Sequence, residues 1–438
     1  MAEYFEAIKT VLKKHSIEIG HRISVEKDGE IYEGILMPNT GDPDVLVIKL
    51  DNGYNVGLAV DNVRIKKIDA IKPKALTTKK KETIKFDRSK PLVCLITTGG
   101  TITSKVDYNT GGVISLMTAE EFVKKTPEIA NIANIEIVQP FTKMSEDMEP
   151  ADWASLSQEI AKQLNRGAVG AIVAHGTDTL HYTAAALSFM LETSKPVILV
   201  GAQRSSDRGS TDSAMNLICA VHLAVSDIAE VGTCMHATMN DDYCLFIRGT
   251  KVRKMHASRR DAFRPINDLP LAKVYPTGNI EVLNENYKKR ENKKAEADAK
   301  FEEKIALQKI YPGSDPEILE YLASKYKGIV LEATGFGHIP TASKKSWIPA
   351  IKKVSARIPV VVATQTIYGR VNTNVYTNLR ILFSETNAIP AEDMHPETAF
   401  VKLGFVLGHT KKLEEVRKLM LTNLAGEISS REGDAFLI

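Results

Sequence analysis

The sequence predicts an α/β protein in which a doubly wound, mostly parallel sheet follows a small N-terminal β-barrel. Apolar runs alternate with amphipathic helical segments from Pro91 onwards, which predicts the main sheet with helices on both faces. The same alternation resumes from residue 305 and predicts a second, smaller α/β unit. Short β-rich segments separated by turn residues occupy residues 20 to 70, and these predict the barrel.

The N-terminal domain is predicted over residues 1–75, as a helix followed by a small barrel of the SH3/Sm type. Four short strands are expected in it: Arg22–Glu26, Ile31–Met37, Val45–Leu50 and Asn55–Ala59. Asn52-Gly53 lies between the last two and is typical of a hairpin turn. Residues 76–90 follow as a polar linker. The alternative is that the Lys79-Lys80-Lys81 run in this linker contacts an RNA backbone.

The first α/β domain is predicted over residues 91–283. Its elements are expected to alternate between buried strands and amphipathic helices: Leu92–Thr97, Ala151–Arg166, Gly170–Ala174, Leu180–Leu191, Pro196–Gly201 and Asp212–Val225. Residues 284–304 carry 13 charged side chains in 21 positions, which predicts an exposed helical insertion or linker. The smaller α/β domain is then predicted over residues 305–438.

Composition and charge narrow the classes of function. The net charge of +3 on 438 residues is too small to predict non-specific nucleic-acid binding over the whole surface. The four cysteines form no CxxC pair, so buried structural thiols are expected instead of a metal or redox site. No apolar run approaches the ~18 residues that a membrane-spanning helix needs, and the N-terminal segment is charged. We therefore expect a cytoplasmic protein without a membrane partner.

The first candidate motif, Thr98-Gly99-Gly100-Thr101-Ile102, directly follows the first apolar strand. In open α/β sheets, ligands bind at the carboxyl ends of the strands. The two glycines allow a tight turn that would leave Thr101 at this edge, where its hydroxyl could act as a nucleophile. A helix cap and a phosphate-binding turn are the alternatives. The second is weakened because no G-x-x-x-x-G-K-[ST] or G-x-G-x-x-G pattern occurs in the chain.

The second candidate motif, His175-Gly176-Thr177-Asp178-Thr179, follows another apolar strand at a strand-to-helix corner. Asp178 could cap the helix, or it could bind the ammonium group of an amino acid. Thr177 could activate a water or a second hydroxyl if a basic group takes its proton. His175 is interpreted as a packing residue because it ends a buried strand.

A basic partner for Thr177 and Asp178 is found further along the chain. Lys254 follows the strand Tyr243–Arg248, and a lysine desolvated beside these two side chains could shuttle protons. Its alternative interpretation is ordinary surface charge, since it lies in a short run of basic residues.

Together these motifs resemble the asparaginase/glutaminase family, which carries both turns in this order and a lysine about 75 residues after the second. The similarity covers residues 91–438 and implies an asparaginase-like fold of two domains. It also implies roles by position. Thr101 matches the primary nucleophile, and Thr177, Asp178 and Lys254 match the second threonine, the carboxylate and the lysine.

Three further residues are expected at the substrate. Tyr108 lies in the loop after the first motif, where the family has an activating tyrosine. Ser145 matches the serine beside the α-carboxylate or α-ammonium group of the substrate, and Gly176 is expected to contribute to substrate binding. The resemblance implies that ammonia leaves after Thr101 attacks the amide, that water releases the acyl-enzyme, and that no metal or organic cofactor is needed in this chain.

About 90 residues precede the first motif, and with residues 284–304 they make the chain similar to the family of D-type subunits of archaeal glutamyl-tRNA(Gln) amidotransferases. The segment Gly201–Asp207 adds to this resemblance. It implies that the amide of glutamine or asparagine supplies ammonia to a second, E-type subunit of the amidotransferase, which binds tRNA(Gln) and uses ATP and magnesium. It also implies a homodimer within a heterotetramer. A free-standing L-asparaginase with an extra domain is the first alternative, and a non-enzymatic RNA-binding or scaffold protein is the second.

Overall fold

A computed structural model of the chain describes residues 4, 6–39, 44–68, 86–99, 105–106, 113–114, 126–205, 208–431, 433 and 436. In its N-terminal part these residues form the elements α1 Glu6–Lys14, β1 Arg22–Lys27, β2 Glu30–Met37, β3 Val45–Leu50, β4 Asn55–Ala59 and β5 Arg64–Lys67.

The N-terminal strands form an antiparallel sheet in the order β4-β3-β2-β1-β5. Ile8 and Leu12 of α1 are buried in the same apolar cluster as the inward-facing residues of the sheet. The strand β5 was missed in the sequence because only Ile65 of its four residues is buried. A strand with a single apolar position shows no alternation that a sequence pattern could reveal.

The next part of the chain contains the larger sheet and its helices. Its elements are β6 Leu92–Thr97, β7 Lys105–Val106, β8 Val113–Ile114, α2 Ile129–Ile132, β9 Asn134–Val138, α3 Pro150–Asn165, β10 Gly170–Ala174, α4 Leu180–Met190, β11 Leu191–Glu192, β12 Val197–Val200, α5 Ser213–Ala224, β13 Val231–His236, β14 Cys244–Arg248, β15 Val252–Lys254, β16 Phe263–Pro265, β17 Ala272–Val274 and β18 Ile280–Val282.

Among the described residues, eight strands form the larger sheet, in the order β18-β17-β14-β13-β12-β10-β6-β9. The strands from β9 to β13 pair in parallel, and those from β13 to β18 pair antiparallel. Every residue of β10 and β12 is buried. This explains their continuous apolar sequences, since helices cover both faces of a parallel sheet. One apolar cluster includes α5 and a second includes α3 and α4.

The charged segment 284–304 is not a helix, so its predicted helical structure is wrong. The segment is extended, and its strand β19 Glu296–Ala297 pairs antiparallel with β11. The side-chain amide of Asn165 both donates to the carbonyl of Ala295, at 2.8 Å, and accepts from its N–H, at 2.9 Å. These bonds replace the internal hydrogen bonds that a helix would have formed.

The C-terminal part forms a second, smaller α/β unit. Its elements are β20 Ile305–Lys309, α6 Ile318–Lys325, β21 Gly328–Ala333, α7 Ile348–Ser355, β22 Val360–Thr364, α8 Thr377–Glu385, β23 Ile389–Pro390, α9 Pro396–His409 and α10 Leu413–Met420. Its four strands form a parallel sheet in the order β20-β21-β22-β23. Apolar clusters cover both faces of this sheet, and α9 belongs to one of them.

The four cysteines are all buried and unpaired. Burial raises the pKa of the Cys94 thiol to about 12, so this group stays protonated at neutral pH. Among the helices that the structure describes, none is both long enough and apolar enough to cross a membrane.

Candidate functional site

The two motifs lie next to each other at the carboxyl edge of the larger sheet. Strands β6 and β10 are parallel neighbours, and Thr97 pairs with Ala174 at their ends. Thr98 then donates a backbone hydrogen bond of 3.0 Å to the carbonyl of Ala174. Gly99 has a φ of +107°, and a Cβ at this position would collide with the carbonyl of Lys143. The first motif therefore requires glycine at its turn.

Thr101 and Tyr108, the predicted nucleophile and the predicted activating tyrosine, lie outside the described residues. The roles assigned to them remain predictions. The described part of the first motif is Thr98-Gly99, and Thr101 follows Gly99 two positions later in the chain.

The structure brings Thr177, Asp178 and Lys254 together. The Lys254 ammonium donates hydrogen bonds to Thr177 Oγ1 at 2.9 Å and to Asp178 Oδ1 at 2.7 Å. The side chain of Lys254 is 10% exposed, whereas that of Asp178 is 63% exposed. The Lys254 side chain is therefore largely buried, whereas the Asp178 carboxylate faces solvent. A carboxylate placed in this way can bind a cation and still fix the lysine beside the threonine hydroxyl.

Local structure explains why these three side chains converge. Thr177 and Asp178 occupy the short connection between β10 and α4, and this connection is closely packed. A Cβ added at Gly201 would lie 2.8 Å from Thr177 Cγ2, so the end of β12 confines the threonine methyl group. Lys254 ends the short strand β15, where it pairs with Phe263 of β16.

Ser145 and Gly176 lie directly behind the Thr177–Asp178 connection. Ser145 is buried, and its Oγ accepts a hydrogen bond of 3.3 Å from the backbone N–H of Asp178. Its carbonyl accepts a second bond, of 2.5 Å, from Thr179 Oγ1. A Cβ at Gly176 would lie 2.7 Å from Ser145 Oγ, so only glycine fits there. The serine hydroxyl therefore positions the loop, and a direct contact with substrate remains a prediction.

His175 is fully buried and has a partner at each ring nitrogen. Its Nδ1 lies 2.7 Å from the carbonyl of Gly176, and its Nε2 lies 3.0 Å from Thr183 Oγ1. Burial lowers the pKa of His175 to about 4. The ring is neutral at pH 7 and holds the motif loop in place, in agreement with its interpretation as a packing residue.

Two residues of the site region were missed in the sequence. Glu397 binds Arg253, which is the neighbour of Lys254 in the chain, and His395 binds Glu397. The partners Arg253 and Glu397 are 144 positions apart, so no local spacing could have revealed their contact. Within the described residues, no cluster of three or more His, Cys, Asp or Glu side chains is arranged to hold a metal ion.

Three protein-family models match the chain. They are described as "GatD N-terminal domain" at residues 17–68, "Asparaginase, N-terminal" at residues 92–288 and "Glutaminase/Asparaginase C-terminal domain" at residues 304–420. Together the matches divide the chain into the same three regions as its sheets.

Curated relatives resemble the chain over almost its whole length. The D-type subunit of glutamyl-tRNA(Gln) amidotransferase from Pyrococcus abyssi is 52% identical, with 95% of this chain and 96% of the relative covered. The protein of the same name from Methanobrevibacter smithii is 44% identical, with 99% of each chain covered.

Among solved structures, the thermostable L-asparaginase from Thermococcus kodakarensis matches with a TM-score of 0.70 and 29% identity. The match covers 78% of this chain and 100% of that one. L-asparaginase I from Vibrio cholerae matches with a TM-score of 0.66 and 29% identity, covering 78% and 99% of the two chains.

Proposed function

The chain belongs to the family of D-type subunits of glutamyl-tRNA(Gln) amidotransferase, and on this premise we propose that it is the amidase subunit of such an enzyme. It hydrolyses the side-chain amide of glutamine or asparagine, and the ammonia converts mischarged Glu-tRNA(Gln) to Gln-tRNA(Gln). The observation that carries the proposal is the contact of the Lys254 ammonium with both Thr177 and Asp178, beside the Thr98-Gly99 turn.

The proposed reaction uses two threonines with different roles. The Thr101 hydroxyl attacks the amide carbon, and backbone N–H groups of the motif turns stabilise the oxyanion. The tetrahedral intermediate then expels ammonia and leaves an ester on Thr101. Water, activated by Thr177 and Lys254, hydrolyses the ester to the free acid and restores the hydroxyl. One amide and one water thus become one carboxylic acid and one ammonia.

The remaining residues bind and orient the substrate in this proposal. The carboxylate of Asp178 binds the α-ammonium group of the substrate, because it is negatively charged and remains exposed although it also contacts Lys254. Ser145 and Gly176 set the position of the loop that carries Asp178. Tyr108 would assist the attack of Thr101. No cofactor is needed in this chain.

The ammonia acceptor belongs to a partner in this proposal. The E-type subunit of the amidotransferase binds tRNA(Gln) and uses ATP and magnesium to activate the mischarged glutamate, while two copies of this chain form a homodimer within a heterotetramer. The antiparallel N-terminal sheet is taken to close into a small barrel of the SH3/Sm type. A cytoplasmic location is part of the proposal, because aminoacyl-tRNA is made and used there.

A free-standing L-asparaginase would share the same site. The extent of the similarities favours the amidotransferase subunit. The solved asparaginases cover 78% of this chain, whereas the amidotransferase subunits also cover its N-terminal domain.

The test measures glutamate and ammonia release by the purified chain alone, with the E-type partner, and with that partner, mischarged Glu-tRNA(Gln), ATP and Mg²⁺. We expect amide hydrolysis to rise in the complete mixture and Gln-tRNA(Gln) to form. High asparaginase turnover that neither the E-type partner nor tRNA changes would contradict the proposal in favour of a free-standing asparaginase.

The same assay tests the site. Lys254→Met keeps much of the length of the side chain but removes the ammonium, and we expect amide hydrolysis to fall about 100- to 10,000-fold, as for the loss of a proton-transferring group. Lys273→Met is the matched control, because Lys273 forms an ion pair of 3.0 Å with Glu281 in the partly exposed β17–β18 ladder. If Lys254→Met and Lys273→Met have equal activity, Lys254 has no role in amide hydrolysis.

A further inference from the structure

Residues 250–253, which lead to Lys254, make three polar contacts with the segment 393–398 of the C-terminal domain. Thr398 Oγ1 donates to the carbonyl of Thr250 at 3.0 Å. Lys251 Nζ lies 2.5 Å from Asp393 Oδ2, and both side chains are buried. Arg253 Nε donates to Glu397 Oε1 at 2.8 Å. Three of the four residues before Lys254 therefore bind the segment 393–398 of the other domain.

The carboxylate of Glu397 is itself held in place by a buried histidine. His395 Nδ1 lies 3.0 Å from Glu397 Oε2, and His395 Nε2 lies 2.9 Å from Thr398 Oγ1. The single hydroxyl proton of Thr398 is already donated to the carbonyl of Thr250. The two carboxylate oxygens of Glu397 therefore each have a partner, Arg253 at Oε1 and His395 at Oε2.

The electrostatics of Glu397 agree with this geometry. Burial favours the neutral carboxyl and acts to raise its pKa. The hydrogen bond from His395 and the positive charges of His395 and Arg253 outweigh burial, and they hold the pKa of Glu397 well below its usual range. Glu397 is therefore a charged acceptor fixed on two sides, at the N-terminal end of α9.

From these contacts we propose that Glu397, oriented by His395, positions Lys254 by holding Arg253. Successive side chains of a strand point to opposite faces, so a fixed Arg253 also fixes the direction of Lys254. β15 has three residues and, within the described part of the chain, belongs to a two-stranded sheet with β16, so contacts outside this short ladder also set its orientation. The inference rests on the proposed function, in which Lys254 must stay near Thr177.

Glu397 and Arg253 act in this inference as positioning residues, since neither touches the substrate. A misplacement of about 1 Å at a reacting group can lower a rate about 100-fold. The contacts of Lys254 with Thr177, at 2.9 Å, and with Asp178, at 2.7 Å, leave no room for such a shift without being broken.

The test compares Arg253→Met, Arg253→Lys and Glu397→Gln in the assembled enzyme with glutamine as substrate. We expect Arg253→Met and Glu397→Gln to lower kcat about 10- to 100-fold with little change in KM. Arg253→Lys, which keeps the charge that faces Glu397, should recover a large part of kcat. Arg253 is partly exposed, so Arg253→Met tests the inference even if Glu397→Gln fails to fold.

The matched control lies on the same helix as Glu397. His409 is at the other end of α9, where its Nε2 lies within hydrogen-bond distance, 2.6 Å, of Asp298 Oδ2. His409→Gln should leave kcat unchanged. If Lys254→Met is inactive and Arg253→Met has the wild-type kcat, the positioning role is overturned while the proposed function stands. If Lys254→Met is fully active, the proposed function itself fails.

Discussion

His175 connects the core of the larger domain to the loop Gly176–Thr179 through a series of hydrogen bonds, in which each group donates to the next. Trp153 Nε1 donates to Thr183 Oγ1 at 3.0 Å, and because the neutral ring of His175 has its proton on Nδ1, the Thr183 hydroxyl donates to Nε2. The opposite nitrogen, Nδ1, carries the proton and donates to the carbonyl of Gly176. This chain of bonds ends one residue before Thr177 and requires the neutral ring.

The first prediction concerns the effect of pH on this ring. Its pKa is about 4 in the folded protein, against an ordinary value of 6.5, so the unfolded chain binds more protons between these two values. The stability that the neutral ring contributes is present above pH 6.5 and is lost as the pH falls towards 4. For this shift, the free energy of unfolding should fall by about 2 kcal/mol between pH 7 and pH 5.

Urea unfolding of the wild type and of His175→Gln at pH 7, 6 and 5 checks this expectation. Both proteins share every other titrating group, including the buried His181, so the difference between their pH dependences isolates His175. The wild type should lose more stability on acidification than the variant. Parallel curves would show that His175 is not the group that senses the pH.

At the residue scale, the sequence could identify the candidate reactive side chains but not the residues that hold them in position. Thr177, Asp178 and Lys254 occur in short motifs at strand ends, where a sheet edge brings ligands and side chains together. The support by Glu397 could not be predicted, because its contact with Arg253 depends on how two domains pack.

At the element scale, the sequence pattern was sufficient to predict those strands whose residues are all buried. The continuous apolar sequences of β10 and β12 identify strands covered on both faces. The segment 284–304 was misassigned because charged residues and alanines have high helix propensity. Tertiary contacts override that propensity here, since bonds to Asn165 and to β11 hold the segment extended.

The second prediction tests what holds this segment. In Asn165→Ala, the N–H and the carbonyl of the buried Ala295 lose both hydrogen-bond partners. Leaving buried polar groups unpaired costs about 1–3 kcal/mol in the free energy of unfolding. Urea unfolding should show this loss, and trypsin should cleave faster at Lys293 and Lys294.

The control for this variant is Gln158→Ala, because Gln158 is exposed on the same helix, α3. It should change neither the free energy of unfolding nor the rate of cleavage. A result in which both variants behave alike would mean that β19 and its neighbours hold the segment without Asn165.

At the scale of the whole molecule, the N-terminal domain contacts the connection between β12 and α5 of the larger α/β domain. Tyr54, at the hairpin between β3 and β4, shares a hydrogen bond between its hydroxyl and that of Ser210. Its ring fills the space that a Cβ at Gly209 would need. Gly209 and Ser210 belong to the connection between β12 and α5, which begins at Gly201 beside Thr177.

The same connection is fixed at its other end by a buried carboxylate. Asp212 accepts backbone hydrogen bonds from Gln203, at 2.9 and 3.0 Å, and from Arg204, at 3.0 Å. Backbone hydrogen bonds to Asp212 therefore hold the start of the loop, while Tyr54 and Arg204 contact its later part, at Gly209 and Ser210. A disturbance of the N-terminal domain should consequently reach this part of the loop first.

The third prediction follows from this division. Tyr54→Ala removes both the ring and the hydroxyl, so amide hydrogen exchange should accelerate at residues 208–211 and stay unchanged at Gln203 and Arg204, whose N–H groups bind Asp212. Tyr54→Phe keeps the ring packing and loses only the hydrogen bond, so its effect should be smaller. Hydrogen exchange measured by mass spectrometry resolves these segments.

Ile31→Ala provides the control, because Ile31 is an exposed apolar residue of the same N-terminal sheet. It should leave exchange in the loop at the wild-type rate. If Tyr54→Ala also leaves residues 208–211 unchanged, the two domains touch at Tyr54 without either one stabilising the other. Acceleration confined to this loop would instead establish that the N-terminal domain orders a segment which begins beside Thr177.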